Sequence, residues 1–196
     1  MDQNKTFDAI VIGASAGGLY AMINIFKQLP ANYPIPIIVV QHRSKDERSL
    51  LEEVLQQKCS VCIKQADEKE VIAGGCVYFA PPDYHLLVEN DGTFSLSFDP
   101  PVNYSRPSID VLFETAADVF KERLLAIILT GANADGARGM KKIRKLGGTT
   151  IAQQPDTADY PEMPKAAINT GAIQHILTPD AIGSFLRECM KNNTVW

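Results

Sequence analysis

Short apolar runs alternate along the chain with stretches in which apolar residues return every three or four positions. Phe7 to Ile12 is a mostly apolar run, and Gly17 to Leu29 follows with Leu19, Met22, Ile23, Ile25, Phe26 and Leu29 at helical spacing before Pro30 stops it. Ile35 to Val40 reads as a second buried strand, and Ser49 to Gln57 as a helix with Leu50, Leu51, Val54 and Leu55 on one face. Val61 to Ile63 and Val77 to Ala80 are short strand segments. His85 to Glu89 and Thr93 to Phe98 flank Asn90-Asp91-Gly92, a hairpin turn signal. Ser108 to Phe120 repeats Ile109, Leu112, Phe113, Ala116 and Val119 on one helical face, and Leu124 to Leu129 is the most apolar strand segment. Gly136 to Leu146 predicts a helix ended by Gly147-Gly148, Thr149 to Ala152 a strand, and Pro164 to Asn169 and Pro179 to Asn192 two more helices. Strands that are apolar throughout and alternate with helices predict an α/β fold: a parallel sheet covered on both faces, here with an antiparallel hairpin added to it.

Composition narrows the class. The chain has 196 residues, 45% hydrophobic and 21% charged, with a net charge of −4, as in an ordinary soluble domain. No basic stretch points to nucleic acid as a main partner. No apolar run approaches the roughly 20 residues of a membrane span, and the polar start lacks the apolar core of a signal peptide, so we expect a cytoplasmic protein with no direct membrane insertion. Cys59, Cys62, Cys76 and Cys189 lack the partners of a zinc set and are expected to be reduced thiols, packed as small hydrophobes. No metal and no cofactor are expected.

The chemistry concentrates at strand ends, where sheets of this kind bind ligands. Val11 to Gly18 reads V-I-G-A-S-A-G-G. As a dinucleotide fingerprint it has Ser15 where the second glycine must let the backbone approach a pyrophosphate, and the second strand ends Gln41-His42 without the acid that binds a ribose. The same turn satisfies G-x-S-x-G, which exposes a serine hydroxyl before a helix whose first N–H groups can stabilise an oxyanion. His42, at the end of the second strand, is the candidate base; His85 and His175 are expected to be structural. Asp135, in the Thr130 to Gly136 loop after the most apolar strand, can orient that base, although it can also cap the helix starting near Gly136. The order Ser, His, Asp differs from the Ser, Asp, His of α/β-hydrolases.

These residues, with V-V-Q-H at 39–42, V-Y-F-A-P-P-D-Y-H-L at 77–86, R-P-S-I-D-V-L-F at 106–113, I-L-T-G-A-N-A-D-G-A-R-G-M at 128–140 and M-P-K-A-A-I at 163–168, resemble the catalytic domain of the bacterial chemotaxis protein-glutamate methylesterases. The resemblance implies a doubly wound, mostly parallel sheet with a hairpin. It implies hydrolysis of glutamyl methyl esters, and deamidation of certain glutamines, on the cytoplasmic helical region of methyl-accepting chemotaxis receptors. It further implies Ser15 as nucleophile, His42 as base and Asp135 as orienting acid, with backbone N–H groups of Ala16 and Ala132 in the oxyanion hole. Arg106 is a candidate for positioning the acidic receptor.

This sequence departs from the family pattern in having Ala16 where threonine is common, and Ala132 and Asn133 where methionine and glycine are common. Family members usually also carry an N-terminal receiver domain. Residues 1–196 are expected to form a single catalytic domain without one. A catalytically silent receptor-binding module of the same fold is the alternative reading, and a nucleotide-binding domain a more distant one.

Overall fold

The computed structural model describes residues 6–43 and 50–193. Seven parallel strands form the central sheet: β1 (Ala9–Ala14), β2 (Ile37–Gln41), β3 (Cys62–Gln65), β4 (Cys76–Phe79), β7 (Leu124–Ile128), β8 (Thr149–Gln153) and β9 (His175–Leu177), in the order β3-β4-β2-β1-β7-β8-β9. Between them run the helices α1 (Gly18–Phe26), α2 (Leu51–Lys58), α3 (Ile109–Phe120), α4 (Ala137–Lys145), α5 (Glu162–Asn169) and α6 (Pro179–Asn193). From β1 the chain passes to β2, then to the edge strand β3 and back inward to β4, before it resumes at β7 on the other side of β1 and winds outward to β9, so the switch point of this doubly wound sheet lies beside β1.

Alternating side chains of the same strands feed two cores. Ile10, Ile12, Ile37, Val39, Leu125 and Ile127 pack with Met22, Ile25 and Phe26 of α1 and Ile182 and Leu186 of α6. Ala9, Val11, Ile38, Val40, Ala126 and Ile128 pack with Ile109, Leu112 and Phe113 of α3 and Met140 and Ile143 of α4. Burial on both faces is why β1, β2 and β7 read as unbroken apolar runs rather than as alternating ones.

The hairpin forms as expected, from β5 (His85–Val88) and β6 (Phe94–Ser97), but it does not extend the central sheet. Its Leu86, Val88 and Phe94 join the α3 core instead. Pro36 has no N–H for the ladder, so β2 begins one residue later, while the Pro36 carbonyl still accepts from the Ile10 N–H. Ser49 lies outside the described residues. The edge strand β9 was not expected. Its three residues are half-buried or exposed and carry no alternation to read. Cys59 and Cys189 are buried, Cys62 is exposed and Cys76 half-buried, all as free thiols.

Candidate active site

Three turns meet at the carboxyl ends of β1, β2 and β7. Ser15 lies in the turn between β1 and α1, His42 directly after β2, and Asp135 in the loop between β7 and α4. Since β1 lies between β2 and β7, the histidine and aspartate reach each other over the end of the serine's strand. The turns are laced together through their backbones. The Ser15 N–H donates to the Thr130 carbonyl at 3.0 Å, and the His42 N–H to the Ala14 carbonyl at 3.0 Å. The Thr130 hydroxyl donates to the Ala16 carbonyl at 2.9 Å.

Small residues make the lacing possible. A Cβ on Gly18 would lie 2.1 Å from Gln41 Oε1. That close approach lets the Gln41 amide donate to both the Ser15 carbonyl (2.8 Å) and the His42 carbonyl (2.9 Å), clamping nucleophile turn to base turn. The clamp of Gln41 depends on that glycine, distant in sequence, and no local pattern reveals it. Gly131 brings the aspartate loop so near that a Cβ there would lie 2.9 Å from the Ser15 Cβ.

Asp135 is buried and accepts six hydrogen bonds. His42 Nε2 donates to its Oδ2 at 2.9 Å, as does the Ile109 N–H at 2.7 Å. Its Oδ1 accepts from Asn103 Nδ2, the Ser108 hydroxyl and the Asp110 and Gly136 N–H groups, at 3.0 to 3.1 Å. Burial pushes the carboxyl up, but the hydrogen bonds from His42, Asn103 and Ile109 and the neighbouring histidine's charge outweigh it, and Asp135 is held below the ordinary aspartate value. The capping role considered for Asp135 is real but falls on a different helix: its partners are the first N–H groups of α3, where a negative charge is favoured. Asp110, one residue inside α3, is pushed up by burial and by the charge of Asp135, against a hydrogen bond from the Gly139 N–H. Asn103 spans both carboxylates. Neither Asn103 nor Ser108 was singled out from the sequence, because what they serve is created only when α3 docks on the β7 loop.

The remaining predicted residues are placed as follows. No hydrogen bond joins Ser15 Oγ to His42 among the described residues; the His42 Nδ1 faces Asn133 Nδ2 at 3.3 Å. Ser15, Ala16, Gly17, Gly18, Gln41, His42 and Arg43 line one side of a cleft of about 310 Å³ that Leu19, Tyr20 and Leu51 complete. The N–H groups of Ala16 and Ala132 carry no hydrogen bond among the described residues. The Arg106 side chain is largely buried and engaged by its neighbours. Its Nε and Nη2 donate to Asp83 Oδ1 at 3.1 and 2.8 Å, and its Nη1 to the Phe98 and Asp99 carbonyls. Its guanidinium also stacks 3.8 Å from the Phe98 ring centre. Arg106 thus ties the hairpin to the loops around it. His85 is buried between the Pro100 carbonyl and the Ser108 N–H, and His175 sits half-buried on the edge strand, away from the three turns.

A model of the CheB methylesterase family matches residues 10–186. A Leptospira interrogans protein provisionally named a protein-glutamate methylesterase/protein-glutamine glutaminase is 47% identical over 95% of this chain and 97% of its own length. A Symbiobacterium thermophilum protein of the same two named activities is 38% identical over 88% of this chain, which spans only 48% of that relative. The crystal structure of the Thermotoga maritima CheB methylesterase catalytic domain superposes with a TM-score of 0.89 at 34% identity, covering 93% of this chain and 98% of that one. Sequence and fold agree, and the chain belongs to the CheB methylesterase family.

Proposed function

We propose that this protein is a cytoplasmic protein-glutamate methylesterase, with glutaminase activity, acting on the helical cytoplasmic region of chemotaxis receptors. The observation that carries the reading is the His42–Asp135 hydrogen bond of 2.9 Å, held over the end of the strand that delivers Ser15. In this reading Ser15 Oγ attacks the ester carbonyl and His42 takes its proton. Because Nε2 already donates to Asp135, the accepting nitrogen is Nδ1. Asp135 keeps that tautomer and stabilises the imidazolium that forms. The oxyanion is received by the open N–H groups of Ala16 and Ala132, one at the head of the α1 turn and one in the aspartate loop. Methanol departs with the proton from His42, and water then hydrolyses the glutamyl-enzyme by the same route. A glutamine side chain presents the same carbonyl with ammonia as the leaving group. Arg106 enters only as the tie that holds the hairpin, since its donors are directed into the fold.

The test is methanol release from methylated receptor membranes. Ser15→Ala is expected to lower release to the uncatalysed level. Equal release from wild type and variant refutes the assignment, and a wild type that releases none supports the silent receptor-binding module instead.

A further inference from the structure

The Asn133 amide is the one side-chain group hydrogen-bonded to the base on the side away from Asp135 among the described residues. Which end of that amide faces the imidazole is fixed by the loop. Asn133 Oδ1 accepts the Asp135 N–H at 3.1 Å, so Nδ2 is the end that lies 3.3 Å from His42 Nδ1. An amide nitrogen only donates. His42 Nδ1 must therefore carry its lone pair, and Nε2 its proton, which goes to Asp135. That is the tautomer the proposed mechanism needs, and yet the lone pair it leaves free is taken.

We propose that Asn133 is a positioning residue that sets the tautomer of His42 and occupies the lone pair of the base between turnovers, so that Ser15 is activated only when the amide swings away. The inference rests on the esterase reading above. Its chemistry follows from donor counting. Once Ser15 hands its proton to Nδ1, the imidazolium presents an N–H toward the Asn133 NH₂ group, donor against donor, so the contact cannot persist through acylation. Asn133 is exposed, and water can satisfy its amide when it leaves. The hold is therefore that of one neutral hydrogen bond, strong enough to order the resting site and weak enough for a bound substrate to displace.

Two substitutions separate this role from a structural one. Asn133→Ala removes both the hold on Nδ1 and the bond to the Asp135 N–H. Asn133→Asp keeps an acceptor for the Asp135 N–H but turns a carboxylate oxygen toward Nδ1, which favours a proton there and removes the lone pair. Labelling of Ser15 by an alkyl fluorophosphonate, followed to saturation, reads the step directly. Asn133→Ala is expected to raise the maximal labelling rate about fivefold, the release of one neutral hydrogen bond, with the half-saturating probe concentration unchanged. Asn133→Asp is expected to lower it about thirtyfold, as for a hydrogen bond to a charged group. A residue that merely shapes the loop predicts the reverse: an impaired Asn133→Ala and an Asn133→Asp close to wild type. That pattern overturns the proposal, as do two variants that both label like wild type. Nitrogen-15 spectra of His42 give an independent reading: Nδ1 unprotonated in wild type and protonated in Asn133→Asp supports it, and a protonated Nδ1 in resting wild type overturns it. Labelling that persists in Ser15→Ala strikes the esterase reading instead, while the nitrogen spectra still decide the contact.

Discussion

Asp135→Asn should separate the structural and chemical duties that converge on one carboxylate. Asparagine keeps one oxygen. In the Oδ1 place its nitrogen would face four donors, from Asn103, Ser108, Asp110 and Gly136. In the Oδ2 place it faces the Ile109 N–H, now 2.7 Å from an acceptor, and His42 Nε2. The second arrangement is the less costly, because the imidazole can respond by changing tautomer, the exposed Asn133 amide then turning from Nδ1 to water, and the Ile109 N–H is the one buried donor that loses its partner. An unsatisfied buried donor costs about 1–3 kcal/mol, and removing a negative charge from a helix N-terminus about another 0.3–1 kcal/mol. We expect a loss of about 1–4 kcal/mol, or about 3–16 °C in midpoint for a chain of this length. Activity should fall more steeply, by about 10³–10⁴, since the new tautomer puts the proton on Nδ1, where the base is needed. The stability gap should itself depend on pH. Asp135 is held below its ordinary value in the fold, so its contribution is complete above the unfolded aspartate value of about 3.9 and fades as pH falls through the lower folded value. Asparagine does not titrate, so the two unfolding curves should converge below about pH 4. Urea unfolding between neutral and acid pH, with methyl ester hydrolysis at neutral pH, provides the measurement. Equal stability at neutral pH, or activity within threefold of wild type, refutes the reasoning.

Gly18→Ala should uncouple the two turns, because a Cβ there meets Gln41 Oε1 at 2.1 Å and forces the amide off the Ser15 and His42 carbonyls. We expect at least a tenfold fall in kcat for about 1–3 kcal/mol of stability, and a kcat within twofold of wild type would show the clamp to be dispensable. Arg106→Ala should cost about 1.5–3 kcal/mol through the loss of its bonds to Asp83, with KM for methylated receptor unchanged; a raised KM without a fall in thermal midpoint would restore substrate positioning to Arg106. Thiol titration should find Cys62 fast in the folded protein and Cys59 and Cys189 silent until unfolding, since both are buried and burial pushes Cys59 up and Cys189 to about 12. Rapid reaction of Cys189 in the folded state would contradict its place on the buried face of α6.

The placement of the candidate site is legible in the sequence wherever a residue follows a strand. Ser15, His42 and Asp135 each follow an apolar run, and a parallel sheet brings the ends of such runs to one edge whatever separates them in sequence. The hairpin turn was legible for the same kind of local reason, but its destination was not. Whether β5 and β6 extend the sheet or lie on α3 depends on Leu86, Val88 and Phe94 finding Phe113 and its neighbours, and no local pattern encodes that meeting. Asp135 gives the clearest case. A capping aspartate followed by Gly136 reads as the cap of the next helix in sequence, and the structure gives it the N-terminus of α3, which ends before β7 begins.

That misplacement explains how the site is held rigid. The loop after β7 alone could not fix a carboxylate to hydrogen-bonding tolerance, because loops are the softer parts of a fold. Here the carboxylate is anchored in the first turn of α3, whose Ile109 and Phe113 are buried against β1 and β7 strand residues and α4. Gly13 and Gly136 both lie so close to Ile109 that a Cβ on either would come within 2.7 Å of its side chain. The strand that delivers Ser15, the helix that anchors Asp135 and the loop that carries it are therefore in mutual van der Waals contact around one isoleucine. Displacing α3 would move the aspartate and, through its bond, the histidine, while Ser15 stayed on β1. The distance from base to nucleophile is thus set by how α3 packs on the sheet, and the exposed Asn133 amide is the soft element in an otherwise fixed constellation. A substitution that loosens that packing, such as Ile109→Ala, should lower activity further than the 2–5 kcal/mol it costs in stability would suggest, and a variant that loses the stability while keeping full turnover would show that α3 does not set the geometry.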